Sequence, residues 1–123
     1  MTIRMRVSAN FERNLESIRC YWHDERRPER FEVLLDLVFD EIAPNLVSYP
    51  LMGRDLLARL PDSLEADRLR KQLATLVPAN AGVREYISPE YLVLYLLESE
   101  KVTLLAIRHH AQLSFDLKGL YGN

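Results

Sequence analysis

Cysteine, glycine, lysine and long apolar runs are all scarce in this chain. One cysteine, Cys20, in 123 residues excludes an internal disulfide framework, fits a reducing compartment and removes the usual thiolate zinc sites. The apolar runs are short, Tyr91–Leu97 being typical, against the roughly 20 residues needed to cross a bilayer. The opening residues Met1–Arg6 lack the apolar stretch of a signal peptide, so a cytoplasmic protein without a membrane partner is expected. No sign of charge dominates either. Sixteen basic against eighteen acidic side chains leave a net charge of −2, which predicts no general affinity for nucleic acid or membranes. Lysine occurs only as Lys71, Lys101 and Lys118. The arginines gather early, as Arg4, Arg6, Arg13, Arg19, Arg26, Arg27 and Arg30.

Hydrophobic residues at 48% and charged residues at 28% describe an ordinary globular chain, long enough for one cored domain over residues 1–123. Ile3, Met5 and Val7 alternate with Arg4 and Arg6 as in a strand. Ser8 is a plausible N-cap, followed by Phe11, Leu15, Ile18 and Trp22 at helical spacing. A short charged connector, residues 23–27, leads to Pro28 and a second stripe of Phe31, Leu34, Leu35, Val38 and Ile42, which Pro44 should end or kink. The short link predicts an antiparallel helical hairpin. A helical excursion at 55–82 follows, capped by Asp62 or Ser63 and carrying Leu64, Leu69, Leu73 and Leu76. Val83–Ser88, Tyr91–Leu97 and Val102–Arg108 read as strands. The class is therefore α+β: an N-terminal strand and a helical hairpin packed on a small antiparallel sheet, β-α-α-(α)-β-β-β. Tyr91, Val93, Tyr95 and Leu97 point one way and Leu92, Leu94 and Leu96 the other. Both faces of that strand are apolar, so both require cover, from residues 56–77, from another chain or from both.

Several landmarks stand in a familiar order: Pro50-x-x-Gly53-Arg54, then Arg84-Glu85-Tyr86, then Tyr91-x-x-x-Tyr95, then Ile107-Arg108-His109-His110-Ala111-Gln112. Over residues 3–117 this resembles the RelE/ParE superfamily of toxins from bacterial type II toxin–antitoxin systems, and the closing segment LLAIRHHAQLSFDL is closest to ParE-type members. The resemblance implies a growth-arresting protein with a cognate antitoxin as partner, a role in plasmid stabilization, and no cofactor. It implies two contrasting targets. ParE-type members poison DNA gyrase by binding it, whereas RelE-type members cut mRNA on the ribosome. A degenerate, inactive antitoxin-binding module is a third reading.

The nuclease reading requires proton transfer and phosphate charge stabilisation, for which Arg84, Arg108 and His110 are the candidates. Such chemistry would make the chain a metal-independent endoribonuclease, and the paired histidines lack a carboxylate or thiolate at ligand spacing on the same strand. Strand alternation should put Arg108 and His110 on one face, and His109 on the other with Thr103, Leu105 and Ile107. Arg54 and His109 are candidates for target or substrate contact, with turn bracing by Arg54 and local hydrogen bonding by His109 as the structural readings. Tyr86, Tyr91 and Tyr95 read as sheet packing, and Trp22 as core. The middle strand has no basic group, and the tail Leu113–Leu117 carries an acid among apolar residues. Both features favour binding over cleavage. Arg13, Arg19, Arg26, Arg27 and Arg30 offer a rim for an acidic antitoxin tail.

Overall fold

In the computed structural model, residues 2–56, 63–74, 82–112 and 115–120 are described. The first strand, β1 (Arg4–Val7), runs into helix α1 (Ala9–Asp24) through Ser8, whose Oγ accepts from the Phe11 N–H at 3.0 Å and so caps the helix. Helix α1 ends in a Schellman turn. The Arg27 N–H donates to Trp22 O at 2.8 Å and the Arg26 N–H to His23 O at 3.0 Å, with Arg26 at φ 60°. An arginine pays a steric penalty there that glycine does not. Arg26→Gly is therefore expected to raise stability by about 0.5–1 kcal/mol, read as a higher urea midpoint at unchanged slope.

The second helix of the hairpin is α2 (Glu29–Asp36), which passes through a π-turn (Leu37–Ile42) into α3 (Ala43–Ser48). Pro44 was expected to end or kink it. Instead the wider π-turn lets the Ala43 N–H reach Val38 O, and the helix carries the proline, which has no N–H to place, for another turn. Strand β2 (Arg54–Asp55) follows. Helix α4 (Leu64–Ala74) lies inside the expected excursion; of its two candidate caps, Ser63 Oγ accepts from the Ala66 N–H at 3.1 Å, while Asp62 and Leu76 lie outside the described residues. Strands β3 (Gly82–Ile87), β4 (Tyr91–Glu98) and β5 (Lys101–His109) complete the sheet, in the order β1-β5-β4-β3-β2.

The class is α+β as the patterning indicates, but the sheet is mixed. Three pairings are antiparallel, while β1 lies parallel to β5 with Met5 opposite Val102 and Val7 opposite Leu104. Alternation within a strand fixes its buried face and carries no information on partner direction.

Two cores flank the sheet. On one side Phe11, Leu15, Ile18 and Trp22 of α1, Leu34, Val38, Ile42 and Leu46 of the second helix, and Tyr91, Val93 and Tyr95 of β4 are buried together, with Phe31 and Leu35 partly buried against them. This is the helical face that the periodicity predicts. On the other side Leu94, Val83, Leu105 and Ala106 are covered by Leu56, by Leu73 of α4 and by Leu117, with Leu69 and Phe115 packed against them. The chain thus supplies cover of its own for the second face of β4.

The last strand breaks phase. Leu94 pairs with Ala106 but Tyr95 pairs with Leu104, so Leu105 is an extra residue, a β-bulge. Val102 and Leu104 face the helices before it, and Ile107 after it. His109 accordingly sits with Ile107 on the helix side, as expected, but Thr103 and Leu105 do not share that face. Two buried asparagines of α1 hold this irregularity. Asn10 Nδ2 donates to Leu105 O at 2.9 Å, and Asn14 Oδ1 accepts from the Ile107 N–H at 3.0 Å. Ser8 Oγ also donates to Leu105 O, at 3.1 Å.

Candidate functional site

The Pro50–Arg54 turn is built by residues far away in sequence. The Tyr95 hydroxyl donates to Pro50 O at 2.8 Å and accepts from the Gly53 N–H at 2.9 Å. Arg84, opposite Tyr95 in the β3–β4 register, donates from Nε to Gly53 O at 2.9 Å and from Nη2 to Leu51 O at 3.0 Å. A tyrosine and an arginine from adjacent strands thereby clamp three carbonyls and one amide of the turn. Burial raises the Tyr95 pKa above the usual phenol value, which keeps the hydroxyl a donor at neutral pH. Arg54 leaves the turn on β2, opposite Glu85, and its Nη2 lies 3.3 Å from Glu85 Oε1. It is half-exposed and available at the surface.

The closing segment is equally engaged. Arg108 lies opposite Leu92, on the face away from the helices. Its Nη1 donates to Gln112 O, and its guanidinium carbon stands 5.2 Å from the Phe115 ring centroid. Its Nε is buried with no acceptor among the described residues. His109 braces the turn after β5: its Nδ1 accepts from the Ala111 N–H at 3.0 Å, and its own N–H donates to Gln112 Oε1 at 2.8 Å. The neutral ring therefore carries its proton on Nε2, which points to Glu90 Oε2 at 3.9 Å. His110 Nε2 lies 2.8 Å from Ser88 O.

Around His109 is an aromatic cluster. Its ring meets Tyr91 edge-on at 5.3 Å and Trp22 at 6.3 Å, and Trp22 Nε1 donates to the Tyr91 hydroxyl at 3.1 Å. Burial raises the Tyr91 pKa as well. Arg30 lies 4.7 Å above the Trp22 ring and 3.3 Å from Glu90, tying the α1–α2 turn to the β3–β4 turn.

The three residues proposed for cleavage do not converge. Arg84 and Arg108 lie on opposite faces of the sheet. Arg84 is opposite Tyr95, Arg108 is opposite Leu92, and β4 stands between them, so they are about 10 Å apart along the strands and about 10 Å across them. His110 and His109 are near Arg108 in sequence, but His109 is bonded within its own turn and His110 to Ser88 O of the β3–β4 turn. Of the arginines expected at an antitoxin rim, Arg26 and Arg27 lie in the α1–α2 turn and Arg30 in the first turn of α2. Arg13 and Arg19 leave α1 from different faces, and Arg19 pairs with Glu16. Among the described residues, no three of His, Cys, Asp and Glu group as metal ligands, and no helix is long and apolar enough to cross a membrane.

The residues that sequence reasoning passes over are Asn10 and Asn14, 1% and 5% exposed. Their signal is an i, i+4 polar pair bordering the Phe11–Leu15–Ile18 stripe.

No curated protein matches the sequence. A family model for the ParE toxin of type II toxin–antitoxin systems, parDE, matches residues 5–114. That span runs from β1 through β5 and includes both the clamped Pro50–Arg54 turn and the His109–Gln112 brace. The chain belongs to the family of ParE toxins of type II toxin–antitoxin systems.

Proposed function

We propose that this toxin arrests growth by binding and inhibiting DNA gyrase in the bacterial cytoplasm, and that it has no hydrolytic chemistry of its own. Membership of the family implies an antitoxin partner; gyrase as the target, and a role in plasmid stabilization, are our reading. The observation that carries it is the placement of Arg84 and Arg108 on opposite faces of the sheet. A phosphodiester undergoing cleavage needs cationic and proton-transferring groups on one side, within hydrogen-bond reach of one another's substrate atoms. Here the Arg84 guanidinium is spent on the carbonyls of Leu51 and Gly53, and His110 faces a main-chain carbonyl. Those groups serve the fold, and the exposed surface is left for protein recognition.

A paired assay tests this. Purified toxin is expected to stop supercoiling by gyrase and to leave ribosome-bound mRNA intact. The reverse pattern, together with a loss of about 10²-fold or more in cleavage on Arg108→Ala, would establish the RelE-type reading. Inactivity in both assays, with antitoxin still bound, would establish the inactive module.

A further inference from the structure

Strand β1 is an edge of the sheet, since β5 is its one neighbour among the described residues. An edge strand presents main-chain groups that no ladder satisfies. Which groups these are follows from the bonds that β1 does make. The Arg4 N–H donates to Glu100 O at 2.8 Å, and just past the strand the Ser8 N–H donates to Leu104 O at 3.0 Å. Arg4, Arg6 and Ser8 therefore turn their main-chain groups toward β5. The groups of the residues between them point the opposite way, because a strand alternates from one residue to the next. The N–H and C=O of Met5 and Val7 thus face outward, away from the sheet. Two donors and two acceptors stand in line there, the array on which an added strand pairs.

The side chains sort by face. Met5 and Val7 pack on the helix-side core together with Ile3. Arg4 and Arg6 are exposed on the other face, opposite Lys101 and Thr103 in the register. The Glu98 carboxylate, 3.4 Å from Lys101, is taken up by that lysine. Neither Arg4 nor Arg6 has an ion pair among the described residues. This charge decides between occupants. A second copy pairing through β1, antiparallel and centred on Met5, would set Arg4 of each chain against Arg6 of the other. A parallel pairing in register would set each arginine beside its equivalent. Like charges side by side oppose both. A strand with acids at i and i+2 gains two attractions in the same places.

We propose that the free edge of β1 receives an extended segment of the antitoxin. Its acidic residues alternate opposite Arg4 and Arg6, and the apolar residues between them extend the helix-side core. Main-chain bonds supply the affinity, and the two arginines select an acidic strand over a second copy. The proposal rests on membership of the family, which implies an antitoxin, and not on which macromolecule the toxin disables.

Hydrogen exchange followed by NMR on the full chain, alone and saturated with its co-expressed antitoxin, tests this. In the free chain the Met5 and Val7 amides should exchange at least about tenfold faster than that of Ser8, which β5 already holds. In the complex they should slow by about tenfold or more. Arg4→Glu combined with Arg6→Glu turns two attractions into two repulsions. It should weaken antitoxin binding about tenfold or more at low salt, with an unchanged urea midpoint for the toxin alone. Unchanged exchange at Met5 and Val7 in the wild-type complex would overturn the proposal, and that measurement needs no variant to fold. Equal affinity of a folded double variant would overturn it as well. Slowing of the same two amides in toxin alone as its concentration rises would give the edge to a second copy, and so overturn it too.

Discussion

Asn10→Ala is expected to cost about 3 kcal/mol of stability, more than any single surface change in the chain. The amide of Asn10 donates to Leu105 O and Asp116 O and accepts from the Gly119 N–H. Alanine would strip a partner from three main-chain groups at once. Leu105 O keeps its bond from Ser8 Oγ and Asp116 O keeps the one from Asn14, but the Gly119 N–H has no other partner among the described residues. The loss is therefore smaller than three orphaned groups would cost and larger than one hydrogen bond. Urea unfolding of the purified variant measures it. An Asn10→Ala chain within about 0.5 kcal/mol of wild type would mean that the asparagine is incidental to the bulge and the tail.

Gly53→Ala is expected to cost a further, independent 2–3 kcal/mol or about that much, by overpacking. The added Cβ would sit 2.5 Å from the Tyr95 hydroxyl, 2.6 Å from Tyr95 Cε1 and 2.9 Å from Glu85 O. Tyr95 cannot retreat, because it is fully buried and its hydroxyl is held between Pro50 O and the Gly53 N–H. The turn must move instead, taking with it the carbonyls that Arg84 grips. Tyr95→Phe removes the hydroxyl that the new methyl would strike. In a double-mutant cycle, the alanine should therefore cost less in the Tyr95→Phe background than in wild type. Strict additivity would place the clash on Tyr95 Cε1 and Glu85 O, which the phenylalanine keeps, rather than on the hydroxyl.

These two sites mark where the sequence could and could not be read. The helix-facing core was legible, because Phe11, Leu15, Ile18 and Trp22 repeat at the helical period and only one face can hold them. The second core was legible as a need, since both sides of β4 are apolar, and Leu73 of α4 meets it as the excursion suggested. The phase of β5 was not legible. Leu104, Leu105, Ala106 and Ile107 are all apolar, so no residue in the run declares itself the extra one. The parallel pairing of β1 was hidden for a related reason, as the pattern Ile3-Met5-Val7 serves either direction. At the site, Pro50-x-x-Gly53-Arg54 was recognisable as a turn, but its clamp is made by Tyr95 and Arg84, which a linear motif does not connect to it. Asn10 and Asn14 carry no signal in the sequence beyond being a polar i, i+4 pair beside the apolar stripe. Only the bulge and the tail give them a purpose.

The parallel pairing of β1 with β5 has a consequence for how the toxin comes into being. Strand β1 finds its one sheet neighbour among the described residues at residues 101–109, and bonds such as Ser8 to Leu105 and Gly119 to Asn10 close spans of 97 and 109 residues. Such long-range closure is slow and comes late in folding. On a translating ribosome, β1 and α1 leave the exit tunnel with nothing to pair against until the last strand and the tail have followed them. Until residues through Gly119 are free, the nascent chain exposes the face of α1 that later grips them. Emergence of residues through Gly119, rather than of α1, is then the moment at which the toxin's fold can close.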